Sequence, residues 1–308
     1  MNENLVIFGA GLAGLIAARM LIDRQPVVYE KQDELPHNHE AILRFRHPWV
    51  GERTNIPFRK VQVVKAVHGS VNPISDAVRY SKKVTGKVQA RSILDTSMVE
   101  RYVAPGDLVA RLASTATIKL GMDFEQWTDN LYKPTKPPII STIPVPVMMK
   151  LFRWREEPIF SYQSGWNQRL TIDPRLEPNL NCTLYYPGDE PCYRASVTGG
   201  EIIIEGVGNP PDAFACYEVA SHLGLSKSDI VGVGAVRQSR YQKIVELSVS
   251  DRENVKRFVM WLTATHGIYS LGRFATWRPK LLLDDLVKDV QIIQTLIDGH
   301  GSYEYNLK

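Results

Sequence analysis

Leu5-Val6-Ile7-Phe8-Gly9-Ala10-Gly11-Leu12-Ala13-Gly14, with Glu30 standing 21 residues after Gly9, is the stretch on which the fold turns. Leu5–Phe8 is short and wholly apolar, as expected of a strand buried on both faces. Leu12, Leu15, Ile16 and Met20 then recur at helical spacing towards Asp23, and Val27-Val28-Tyr29 is a second apolar strand that ends on Glu30. Each residue type has a physical task at this spacing. Gly9 permits a tight turn, Gly11 lets the backbone approach a pyrophosphate, and Gly14 allows close helix–strand packing. The helix N-terminus, with Leu12 and Ala13 in its first turn, favours phosphate charge. The Glu30 carboxylate accepts hydrogen bonds from ribose hydroxyls, and an acid there disfavours a 2′-phosphate. A glycine trio alone is a weak signal. Set between a strand and a helix, with an acid at this distance, it predicts a dinucleotide site. A glycine-rich turn with no ligand is the weaker alternative.

Working outward, the 308 residues are 44% hydrophobic and 23% charged, which suits one large or two interleaved globular domains. Cys182, Cys192 and Cys216 are an odd, sparse set without metal-ligand spacing, expected to be reduced thiols in a cytoplasmic protein. The first strand begins too early for a signal peptide, and no apolar run reaches the roughly 18 residues of a membrane helix. Between Arg44 and Arg91 eleven lysines and arginines face only Glu52 and Asp76, a local charge of +9 in a chain of net +4. Such asymmetry suits an anionic partner; a solvated basic face is the equal alternative.

The pattern then leaves the strand–helix alternation of an NAD dehydrogenase. Residues 36–104 are basic and broken by Pro36, Pro48, Pro57 and Pro73, with strand-like runs at Ala41–Phe45 and Val61–Val67. Asp107–Ser114 reads as a helix, Ala116–Leu120 as a strand and Ile139–Pro144 as another; residues 147–250 are rich in strand formers. At the end come a strand at Ile268–Leu271, Gly272-Arg273, and a helix. That helix has Pro279 before it, Asp284 and Asp285 in its first turn, a helical stripe of apolar residues from Leu282 to Ile297, and Gly299 placed to end it. The expected architecture is α/β. A Rossmann-like nucleotide-binding domain of three segments (1–35, 105–146 and 262–308) carries an inserted mixed α+β substrate-binding domain (36–104 and 147–261).

On five motifs the chain resembles the FAD-dependent amine-oxidase-like superfamily, which includes the UDP-galactopyranose mutases. These are the glycine turn, Gly106-Asp-Leu-Val-Ala-Arg-Leu112, the strand Ile139–Pro144, Thr183-Leu-Tyr-Tyr-Pro-Gly-Asp-Glu-Pro-Cys-Tyr-Arg194, and Ile268-Tyr-Ser-Leu-Gly-Arg-Phe-Ala-Thr-Trp277. The resemblance implies FAD as the dinucleotide, held non-covalently. It places Gly272 and Arg273 beside the pyrophosphate and ribityl chain and Trp277 against the flavin, and adds Lys31, Ile118, Thr142 and Leu282 to the cofactor site. The chain departs from the family at Leu35–Glu40, where a Gly-Gly-Arg stretch is usual; Arg44 is then the candidate phosphate contact. For Arg273 the plainer role is a structural salt bridge, and for Trp277 a core aromatic.

By analogy Ala41–His47 runs close to the flavin, which makes His47 an acid/base candidate, although a lone histidine is more often structural. Arg194 suits a carboxylate or phosphate, with Tyr193 and Tyr185 beside it; Tyr185 and Tyr186 serve equally as sheet packing. His37 and His39 have no acid or cysteine cluster around them, so no metal is expected. Gly232-Val-Gly234 lacks the third glycine and the acid of a second nucleotide site. Three functions remain open: oxidation of a C–N bond in an amine or amino-acid group, with O₂ as oxidant; a UDP-sugar mutase-like non-redox isomerisation; and action on a modified nucleotide in DNA. For the last, Phe45, Trp49, Phe58 and Tyr80 among the basic residues suggest phosphate contacts with base stacking, Lys82, Lys83 and Lys87 included.

Overall fold

The apolar run that opens the sequence becomes the middle strand of a five-stranded parallel sheet. A computed structural model describes residues 4–35, 42–70, 72–88, 93, 97–132, 136–176, 179–210 and 213–305. Strands β1 (Val6–Phe8) and β2 (Val27–Tyr29) come first, then β3 (Arg44–Phe45), β4 (Arg59–Val67) and β5 (Met98–Val103). Strands β6 (Thr117–Lys119) and β7 (Ile139–Ser141) precede β8 (Tyr162–Ile172), β9 (Asn181–Tyr185), β10 (Cys192–Thr198) and β11 (Glu201–Val207). Last come β12 (Ile230–Val233), β13 (Arg237–Ile244) and β14 (Ile268–Ser270). The helices are α1 (Leu12–Met20), α2 (Trp49–Thr54), α3 (Pro73–Thr85), α4 (Leu108–Ala113), α5 (Phe124–Trp127), α6 (Val145–Leu151), α7 (Ala213–Ser221), α8 (Val249–His266) and α9 (Leu286–Tyr305).

The parallel sheet has the order β14-β7-β1-β2-β6. Its strands come from three stretches of chain, as the α/β expectation required. Strand β1 is buried on both faces because the pleat divides it: Ile7 joins a cluster with Leu15, Ile16, Leu112 and Val290, while Val6 and Phe8 join another with Phe124, Met148 and Phe258. That is why the run is continuously apolar and not alternating. The chain leaves β1 towards β2 and β6 on one side and returns to β7 and β14 on the other. A crevice therefore opens at the carboxyl end of β1, where ligands bind in such sheets.

The second sheet has nine strands among the described residues, in the order β12-β8-β11-β10-β9-β4-β5-β3, with β13 also on β8. Its neighbours are antiparallel except for β4 and β9, which run parallel from Val64↔Cys182 to Val67↔Tyr185. The pleat sorts its side chains into two faces. One carries Trp166, Leu170, Cys182, Leu184, Ala195, Val197, Ile202 and Ile204, packed on Cys216, Val219 and Ala220 of α7. The registers put Thr183, Tyr185, Arg194, Ser196, Glu205, Asn167 and Arg169 on the other. Asn167, Thr183, Ser196 and Glu205 are polar yet buried.

Several local expectations change. Ala41 lies outside the described residues, and the strand there is only Arg44–Phe45; β4 begins two residues early, at Arg59. The basic stretch also holds β5 and a 13-residue helix, α3, whose start is capped by the Asn72 side chain accepting from Ile74 and Ser75 N–H. Helix α8 follows the strand-rich region, in a stretch for which no element was expected; Ser248 caps it, and its Val255, Phe258 and Leu262 are buried. The Ile139–Pro144 strand stops at Ser141, because α6 starts at Val145. The motif Thr183–Arg194 is not one strand but β9, a turn and the start of β10. Gly299 does not end the last helix, which begins with a 3₁₀ turn at Leu283–Asp285 and continues to Tyr305. The helix thus takes in Gly299 and Gly301, each at a cost of about 1 kcal/mol, which the buried stripe Leu286, Val290, Ile293 and Ile297 outweighs.

All three cysteines are buried. Burial raises the Cys182 thiol and pushes Cys192 up to about 12. The native protein is expected to leave all three unmodified by a thiol-specific disulfide reagent at mildly alkaline pH, and to release three equivalents in urea; rapid native labelling of Cys192 would contradict the packing.

Candidate functional site

The turn between β1 and α1 is shaped by contacts that only glycine allows. Gly9 has φ +97°, and a Cβ there would lie 2.1 Å from Thr142 Oγ1. A Cβ on Gly14 would lie 1.9 Å from the Gly9 carbonyl oxygen, so α1 starts in direct contact with the end of β1. Gly11 meets nothing within 4 Å of its ideal Cβ position. It is the N-cap of α1, with no side-chain cap and no acid in the first turn. The first N–H groups of the helix, on Leu12, Ala13 and Gly14, thus face an open position that no side chain of the cap fills, the arrangement that attracts a phosphate.

The surrounding residues converge on this turn. Glu30 Oε2 accepts from Ala10 N–H at 2.7 Å and Oε1 from Gln32 N–H at 3.0 Å, which holds the carboxylate at the turn. Thr142 donates to the Phe8 carbonyl through both its N–H and its Oγ1. Gly272 has φ +97°, and its ideal Cβ would sit 3.2 Å from Ala13 Cβ, so the closing motif packs on the first turn of α1. Arg273 donates through Nε and Nη2 to the Leu281 carbonyl, and Leu282 N–H donates to Asp285 Oδ2, an arrangement that fixes the loop before α9. Ile118 pairs with Val28 in the sheet. Lys31 points out, 2.7 Å from Asp123, whose carboxylate raises it.

Other sequence candidates lie elsewhere. Trp277 is in the core, with φ +45°, its Nε1 donating to the Val245 carbonyl and its ring 4.6 Å from Phe160. His47 is exposed and stacked on Trp49 at 4.1 Å, and Lys288 Nζ lies 5.5 Å from the centre of the Trp49 ring. The backbone N–H groups of Arg46 and His47 both donate to Asp284 Oδ1, a buried carboxylate that ties this loop to the 3₁₀ turn before α9. Asp284 was read only as a charge at a helix start; its reach across 237 residues left no local sign.

Arg44, Tyr185 and Arg194 belong to the polar face of the large sheet. All five Arg44 donors are used, on Thr198 Oγ1 (twice), Thr183 Oγ1 and the carbonyls of Cys182 and Val197. None of these acceptors is charged, and burial together with the nearby Arg194 lowers its pKa to about 10. Arg194 is paired with Glu205, which also accepts from Tyr193 Oη at 2.8 Å. Burial alone would lower Arg194 and raise Glu205; their mutual attraction outweighs it and holds both ionised. Tyr185 is buried edge-on against Tyr80.

In the basic stretch Arg44 is half-buried, Lys60 and Arg79 pair with Glu100 and Asp76, and Lys83 donates to the carbonyls of Tyr186 and Gly188. Phe45 and Tyr80 are buried, and Phe58 packs on Phe45, which leaves Trp49 as the accessible ring of the four. His37 and His39 lie outside the described residues; among those described, no group of three His, Cys, Asp or Glu could hold a metal. Nor is any described helix long and apolar enough to cross a membrane.

A cavity of about 410 Å³ lies between the polar face and the start of α4. Leu43, Leu108 and Val109 line it and belong to the same apolar cluster as Ala10 and Leu12 of the glycine turn. Arg59, Arg169, Thr198 and Glu201 line its other side. Its lining comes from stretches far apart in the chain, which no local pattern could announce.

No protein-family model matches the chain, and no curated protein sequence matches it significantly. Solved structures do share its fold. A 2-methyl-3-hydroxypyridine-5-carboxylic acid oxygenase has a TM-score of 0.57 at 12% identity, over 97% of this chain and 84% of that one. A flavoprotein/dehydrogenase from Cytophaga hutchinsonii has a TM-score of 0.54 at 11% identity, over 98% and 79%. A protein described as an FAD-containing monooxygenase, from Photorhabdus luminescens, has a TM-score of 0.52 at 10% identity, over 96% and 89%. The architecture is that of Rossmann-type flavoproteins.

Proposed function

We propose that the chain is an FAD-dependent oxidoreductase that oxidises the C–N bond of an amine or amino-acid group. The observation that carries the cofactor assignment is the uncapped start of α1 at Gly11, open above the turn and flanked by the Glu30 carboxylate, in a sheet of flavoprotein topology. The residues fit the group: the N–H groups of Leu12, Ala13 and Gly14 would hold its pyrophosphate, and Glu30 its ribose. Bound FAD would supply a hydride acceptor that O₂ reoxidises, forming peroxide. With that acceptor bound, the carbon bearing the amine would lose hydride and its nitrogen a proton, and water would convert the imine into a carbonyl and ammonia. The protein holds the dinucleotide on the parallel sheet and presents the substrate from the polar face of the large one. The motif resemblance supports the C–N choice over other flavin oxidations.

A second reading, oxygen insertion into an aromatic ring, is favoured by the likeness to the pyridine-carboxylate oxygenase. The purified protein is expected to be yellow, or to become so with FAD. Its flavin should then bleach anaerobically with an amine, an amino acid or amino-acid-modified thymine in DNA, with one peroxide formed per carbonyl in air. Bleaching by a reduced nicotinamide and not by any amine would replace this reading with the oxygenase one. A protein that cannot be reconstituted with FAD would remove both.

A further inference from the structure

We infer that the cavity beside α4 is a binding site for a small carboxylate carried on an apolar body, with Arg59 and Arg169 as its anion-binding side chains. Two independent features point there. The first is a cationic surplus. Arg44 lies one residue from the lining, bonds to the lining residue Thr198, and has no carboxylate among its five partners. A half-buried guanidinium held only by neutral oxygens favours an anion nearby. Arg59 is exposed at the cavity, and its side chain has no ion-pair or hydrogen-bond partner among the described residues. Arg169 lines the cavity too and is paired with Glu201, which leaves Arg44 and Arg59 as the two guanidinium groups there without a carboxylate partner among the described residues.

The second feature is the cavity's shape and its opposite wall. Its volume falls within the roughly 300–1,000 Å³ of small-molecule sites. Ile42, Leu43, Val103, Leu108 and Val109 give that wall an apolar character. A free inorganic anion would gain nothing from such a wall, whereas an acid with a hydrocarbon or aromatic body uses both sides. Planar guanidinium groups suit a carboxylate bidentately. As a binding site the cavity stands without a cofactor; as the place where the substrate of the flavin reaction sits, it rests on the function proposed above.

The test is calorimetric titration of the FAD-loaded protein with benzoate, and with benzamide as its neutral isostere. Benzoate should bind and benzamide should not. Arg59→Ala, at an exposed position, should weaken benzoate about tenfold without loss of FAD, as expected for one charge-assisted pair. Glu201→Gln should tighten it several-fold, which a purely structural acid would not do. Absence of saturable benzoate binding, or binding indifferent to both variants, overturns the assignment. Loss of FAD in Arg59→Ala would give the cavity to the cofactor, and displacement of benzoate by a short thymidine oligonucleotide would make it part of a nucleic-acid groove; either ends the proposal. If the protein proves colourless, the same titration still reads the site, so failure of the flavin reading and failure of this one are separable.

Discussion

Gly14→Ala is expected to lose FAD altogether and to destabilise the protein by about 2–3 kcal/mol, the scale of overpacking a rigid contact. The added methyl would lie 1.9 Å from the Gly9 carbonyl oxygen, which is backbone and cannot swing aside. To accommodate it, α1 must lift from the end of β1. That moves the Leu12–Gly14 N–H groups off the position where a pyrophosphate would sit, and it loosens the contact of Ala13 with Gly272. Flavin content after gel filtration and the unfolding midpoint read the two effects. Gly11→Ala is the internal control: it has open space around its Cβ and a φ of −69°, so its fold should survive while FAD affinity falls. Full flavin content and unchanged stability in Gly14→Ala would contradict the turn as described.

The second large effect concerns Arg194. Arg194→Met should cost about 3 kcal/mol, because it leaves Glu205, 5% exposed, as a buried carboxylate with only the Tyr193 hydroxyl and the Lys243 charge to offset it. Adding Glu205→Leu should restore most of that loss, since replacing both members of a buried pair by apolar groups is often nearly neutral. A denaturant double-mutant cycle measures the coupling. The same variants decide what Arg194 does. A structural pair predicts that the double variant regains turnover along with stability, whereas a stable but inactive double variant would return Arg194 to the catalytic residues.

The sequence was informative where the physics is local. Gly9, Gly11, Gly14 and Glu30 stand within one strand–helix–strand unit, so their spacing carries the geometry of the turn by itself. The same holds for the apolar strands of the parallel sheet. Helix α3 was equally local, with Asn72 and Pro73 at its start, Ala77, Tyr80 and Val84 on one side and Gly86 at its end, but the charge of the segment masked it. What could not be read is non-local. Arg44 was taken for a phosphate contact near the glycine turn, yet it reaches Thr183 and Thr198, more than a hundred residues away, because the large sheet brings β9 and β10 there. For Trp277 the closing motif allowed a flavin neighbour or a core aromatic alike; its bond to Val245 and its contact with Phe160, both distant in sequence, left no local sign. Nothing in the sequence announces the partner of a buried charge, so Arg194 looked available for substrate while its partner Glu205 stood one hairpin away.

The parallel seam between β4 and β9 has a consequence for how the chain acquires its structure. Strands β3–β5 can close on one another early, but their junction with the rest of the large sheet waits for residues 182–185, and β1 lacks its β7 neighbour until residue 139 has been made. Contacts of such sequence separation slow folding and leave strand edges uncovered meanwhile. During synthesis the growing polypeptide therefore carries two unfinished sheets at once. Slow refolding that is limited by the β4–β9 junction, and sensitivity to aggregation before residue 185 emerges, are built into the topology.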